Sequence, residues 1–132
     1  MTSPAPIRQP CPPAACTCGH AQLLATEGAD VRILQLTRHE ERKLIERLEN
    51  LQSVEDLHRL CGRMHELLGI GVRINPSRNE VRSVRGLVIE FDEQLGLCRK
   101  TREAIPAAIR RALVQRPEIF YRLLDGYDLL GG

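Results

Sequence analysis

The residues best equipped for chemistry in this chain are thiols and imidazoles. Near its start it reads Cys11-Pro-Pro-Ala-Ala-Cys16-Thr-Cys18-Gly-His20. Side chains alternate sides along an extended backbone, so Cys16, Cys18 and His20 are expected to project together. Three such donors begin a tetrahedral site that Cys11 or a distant residue could complete. A matching half lies downstream. Cys61 and His65 are four positions apart, which makes them neighbours on one helical face, and His58 precedes Cys61 by about one turn. A closed Cys3His or Cys2His2 set suits zinc. Four thiolates suit an iron–sulfur cluster equally well, with Cys98 the fifth cysteine of the chain.

The spacing is less specific than paired C-x-x-C knuckles: one residue separates Cys16 from Cys18, and the second pair is C-x-x-x-H. Cys61 also falls on an apolar helical stripe, and free cysteine is among the most buried residue types, so a core position competes with a ligand role. A disulfide between Cys16 and Cys18 would close a strained one-residue loop.

The second constellation is basic. Arg73, Arg78, Arg82 and Arg85 lie on or beside an expected hairpin, and Arg99, Lys100, Arg102, Arg110 and Arg111 follow. Between residues 70 and 116 there are ten Lys or Arg against five acids, so a phosphate backbone has side chains to meet. Arg82 and Arg85 point to opposite faces of a strand, which breaks any continuous stripe. The total charge is only +2, and no helix-turn-helix, zinc-finger or RNA-recognition signature is present. Solvated charge is therefore the competing account of these arginines.

Catalysis has little support. There is no glycine-rich phosphate loop, no H-E-x-x-H and no G-x-S-x-G. Arg99 and Lys100 ahead of a helix could hold a phosphate, but Ala104 stands where a cysteine-phosphatase loop around Cys98 needs arginine. A nucleophile–base pair would require the fold to bring Cys98 to a histidine of the Cys61 helix.

These residues must be positioned by elements whose ends are legible. Residues 1–20 carry five of the eight prolines and read as an extended, disordered Cys/Pro-rich tail. Leu23 and Leu24 fit a short turn of helix, and Val31, Ile33 and Leu34 a short strand. Thr37 followed by Glu40 is a capping box that opens a helix with Leu44, Ile45, Leu48 and Leu51 on one face. Ser53 and Asp56 open a second, whose stripe is Val54, Leu57, Cys61, Met64 and Leu68, with Gly69 as the stop. Val72 and Ile74 alternate with Arg73 and Asn75; residues 76–79 supply turn chemistry; residues 81–91 form a longer second strand around Leu87, Val88 and Ile89, with Gly86 as a bulge. A third long helix spans roughly residues 101–115, starting or kinking at Pro106. Pro117 opens a final short helix burying Ile119, Phe120, Leu123 and Leu124, with Gly126 as a terminator.

The pattern predicts an α+β fold: a small antiparallel sheet of two to three strands covered by about four helices, in the order α-α-β-β-α-α. Residues 21–132 are expected to form one domain behind the tail of residues 1–20. Aromatic residues make up only 3% of the chain, which leaves too few rings for base stacking and assigns the core to Leu, Ile, Val and Ala. No apolar run is long enough to span a bilayer, and residues 1–13 lack the apolar stretch of a secretory signal, so a reducing, cytoplasmic setting is expected. The expected function is that of a non-enzymatic accessory or regulatory protein. It would meet a protein partner or a second copy of itself, and its tail would hold zinc or an iron–sulfur cluster. The alternative is a nucleic-acid-binding regulator using the hairpin and third-helix arginines.

Overall fold

A computed structural model describes residues 19–76, 84 and 87–131. It is mostly helical, with five α-helices and a two-stranded antiparallel sheet among the described residues. The elements run α1 (His20–Ala25), a 3-10 turn (Arg32–Gln35), α2 (Arg38–Glu49), α3 (Val54–Leu68), β1 (Val72–Pro76), β2 (Leu87–Phe91), α4 (Arg99–Gln115) and α5 (Pro117–Gly131). Residues 31–36, left open as a third strand by their residue types, instead hold a 3-10 turn over Arg32–Gln35 that buries Ile33 and Leu34. Asp30 explains part of the difference: its carboxylate accepts from the Arg32 backbone N–H at 3.1 Å, which favours a turn over a ladder.

The helix ends follow local chemistry. The Thr37 hydroxyl accepts from the Glu40 N–H at 3.3 Å, while the Thr37 N–H itself donates to the Gln35 carbonyl, so the reciprocal half of the box is supplied by backbone. The Ser53 hydroxyl accepts from the Asp56 N–H at 3.0 Å and starts α3. Caps of this kind contribute about 1 kcal/mol each. Gly69, at φ +74°, closes α3 in the left-handed region, its N–H donating to the His65 carbonyl.

Pro106 neither starts nor stops α4, which begins at Arg99 and runs through it. Ile105, Ala108, Ile109, Ala112 and Leu113 recur at helical spacing and are buried, and that burial offsets the hydrogen bond the proline removes. Gly126 likewise lies within α5, which is therefore longer than expected. A glycine inside a helix costs only about 1 kcal/mol.

In the hairpin, Val72 pairs with Phe91, Ile74 with Ile89 and Pro76 with Leu87, one face of the sheet; Arg73 opposite Glu90 lies on the other. Ile74 and Leu87 join the buried core, whereas Arg73 is 3.7 Å from the Glu90 carboxylate and 3.5 Å from that of Asp92. Both described strands have five residues. The expected turn at residues 77–79, the extension of the second strand over residues 81–83 and the Gly86 bulge lie outside the described residues. Among those described, no helix is long and apolar enough to cross a membrane.

Around this core, α2 leans on α4, while α3 leans on the 3-10 turn and α5. The consecutive helices α2 and α3 thus take their support from different neighbours. The space between them stays open on one side.

Candidate functional site

That space is a groove of about 940 Å³. Its apolar lining comes from Leu36, Leu44, Leu60, Met64, Leu67 and Leu68, and its polar edge includes His39, Glu40, Lys43, Arg47 and Arg63. Leu36, Leu60 and Met64 form a buried floor; Leu44 and Leu68 are half-buried, and Leu67 is 53% exposed. Leu60, Met64 and Leu67 recur at i, i+4 and i+7, so the apolar arc of α3 is wider than core packing uses.

The corner between the two helices is held by charge. Arg47 grips Asp56 through both terminal guanidinium nitrogens, Nη1 at 2.8 Å, and the same carboxylate accepts from the Gln52 N–H at 3.0 Å. Asp56 is buried, and the Arg47 contact holds its carboxyl below the usual carboxylate range. At the far end of α3, Arg32 donates to the Glu66 carbonyl at 2.8 Å and to that of His65 at 3.3 Å. Asp30 orients that guanidinium and is itself lowered to about 2, chiefly by the Arg32 hydrogen bonds. A cation at a helix C-terminus satisfies carbonyls that the helix leaves unpaired.

The thiol and imidazole candidates are distributed over different surroundings. Cys11, Cys16 and Cys18 lie outside the described residues. His20 is the first residue of α1 and is buried, so the extended geometry expected to align it with Cys16 and Cys18 does not reach it. Cys61 packs against the core, and burial pushes its thiol up to about 11. His65 and His58 are exposed on α3, and Cys98 is the half-buried cap residue of α4. Among the described residues, no group of three or more His, Cys, Asp or Glu side chains is placed to hold a metal ion.

Several of the arginines considered for nucleic acid already face carboxylates. Arg73 meets Glu90 and Asp92, Arg99 meets Glu103 at 3.1 Å, and Arg111 meets Glu49 at 2.7 Å. Arg110 donates to the Leu87 carbonyl at 3.0 Å, tying α4 to β2. Lys100 and Arg102 are exposed at the start of α4, and Arg78, Arg82 and Arg85 lie outside the described residues.

The chain matches no known family model, no curated protein and no solved structure. Function must be read from the geometry. The groove residues were not among the sequence-derived candidates. The available signal was Leu67, an apolar residue beside the main α3 stripe.

Proposed function

We propose that this is a non-enzymatic accessory or regulatory protein that docks a segment of a partner protein in the groove between α2 and α3. The observation supporting this reading is the groove itself: a leucine and methionine floor, an exposed Leu67 and a polar rim, mounted on helices supported from behind. Exposed apolar surface with a polar rim is the usual anatomy of a recognition site. A volume of about 940 Å³ is near the upper end of the roughly 300–1,000 Å³ range of small-ligand pockets, which also leaves room for several side chains of a docked segment.

The metal-binding role of the N-terminal thiols rests on their spacing. The nucleic-acid reading is weakened by the ion pairs that occupy Arg73, Arg99 and Arg111. A photo-crosslinking amino acid at position 67, compared with one at exposed Leu24 on α1, tests the docking reading in cells producing the full chain. A discrete adduct at 67 that is absent at 24 is the expected result. Equal, diffuse labelling at both positions would remove the groove from consideration.

A further inference from the structure

Building on that docking reading, we infer that the segment received by the α2–α3 groove is an acidic amphipathic helix. Secondary structure follows from backbone hydrogen bonding. The floor is made of leucine and methionine side chains, and an extended segment laid on it would bring its own N–H and C=O groups against them unpaired. A helix satisfies those groups internally and presents apolar residues at i, i+3/i+4 and i+7, the anchors such grooves accept.

The sign of charge follows from the rim. Lys43 and Arg47 on α2 and Arg63 on α3 face a single lining carboxylate, Glu40. Arg47 is engaged by Asp56, and Lys43 lies 4.0 Å from Glu40 at the limit of an ion pair. Arg63, on the opposite helix, has no carboxylate partner among the described residues. Cations thus stand on both helices that border the apolar floor. They complement a helix whose polar flanks carry Asp or Glu on either side of its leucines, and they repel one flanked by Lys or Arg. A nucleic acid would answer the cations but leave the floor uncovered.

Two labelled synthetic helical peptides with the same leucine spacing, one flanked by Glu and one by Lys, provide the test by fluorescence anisotropy on the full chain. The Glu peptide is expected to bind, more weakly as salt rises, and the Lys peptide to bind at least about tenfold less tightly. The double variant K43E/R63E should reverse that preference, and Leu67→Asp should abolish binding of the Glu peptide. All three positions are exposed, and circular dichroism melts check that the variants remain folded. If both peptides bind alike and both are lost in Leu67→Asp, the acidic preference is wrong while the docking groove stands. If binding is indifferent to Leu67→Asp, the docking reading falls as well. Absence of binding by either peptide overturns the acidic helix.

Discussion

The two sides of α2 are closed to different degrees. Toward α4, Leu48 is fully buried beside the face carrying Ile105, Ile109 and Leu113, and polar links seal the edges: Thr101 donates to Glu41 at 3.1 Å and Arg111 to Glu49 at 2.7 Å. Toward α3, Leu44 stays half-buried, Leu67 is exposed, and the principal charged contact is the Arg47–Asp56 pair at the corner. One helix therefore carries both a structural face and a face with spare apolar surface. Core burial concentrates stability on the first, which leaves the second with apolar surface facing solvent.

The contrast is sharpest in large-to-small substitutions. Ile109→Ala, at a fully buried position, is expected to destabilise by about 3–4 kcal/mol in denaturant titrations, because the removed atoms leave a cavity that helices cannot collapse to fill. A loss below about 1 kcal/mol would mean that the α2–α4 side is as loosely filled as the groove.

Asp56→Ala should cost about 2–3 kcal/mol at neutral pH, since it removes charge-assisted bonds to Arg47 and Gln52 at the corner that sets the groove. The cost should depend on pH. Asp56 and Asp30 are both lowered below their unfolded values, Asp30 from 3.8 to about 2. Each contribution is complete above the unfolded carboxylate range and is lost as pH falls through the folded value, which for Asp30 is about 2. The gap between wild type and Asp56→Ala measured at pH 7 should therefore narrow as pH is taken below the ordinary carboxylate range. A gap independent of pH would show that the pair does not hold the corner.

Gly69→Ala should cost about 1–2 kcal/mol, because φ is +74° and the new Cβ would meet Asp30 Oδ2 at 2.7 Å and Arg32 Nη2 at 3.2 Å. Both side chains are exposed and can yield, which keeps the penalty moderate. Smallest of all, Leu67→Ala should change stability by no more than about 0.5 kcal/mol, since it is 53% exposed. A thermal melt showing a loss comparable to Ile109→Ala would make Leu67 a core residue and close the groove as a site.

Much of the fold was legible in the chain. Thr37, Ser53 and Gly69 mark helix ends through bonds made within a few residues, so no knowledge of the remaining structure was required. The alternation of Val72, Arg73 and Ile74 and the run Ile119, Phe120, Leu123, Leu124 likewise announced which side would be buried. Where the reading departed from the structure, distant groups decided. Residues 31–36 carry strand-like residue types, yet Arg32 reaches the end of α3 and residues 32–35 fold as a turn. Gly126 is a breaker by local propensity, but α5 runs through it; Pro106, read as a start or a kink within the third long helix, does not start α4.

For the candidate site the balance is reversed. Sequence drew attention to cysteines, histidines and arginines by their types and spacing. Packing then put Cys61 against the core with its thiol raised and turned Arg73 and Arg111 toward carboxylates on other elements, while Arg99 pairs with Glu103 one turn along its own helix. By itself, the amino-acid sequence determined the helix caps, the hairpin alternation and the apolar faces, because these depend on hydrogen bonds and periodicity along one segment. Only the tertiary structure decided that α2 and α3 take their support from different neighbours and leave Leu67 uncovered. That choice of neighbours is a property of contacts between segments far apart in the chain.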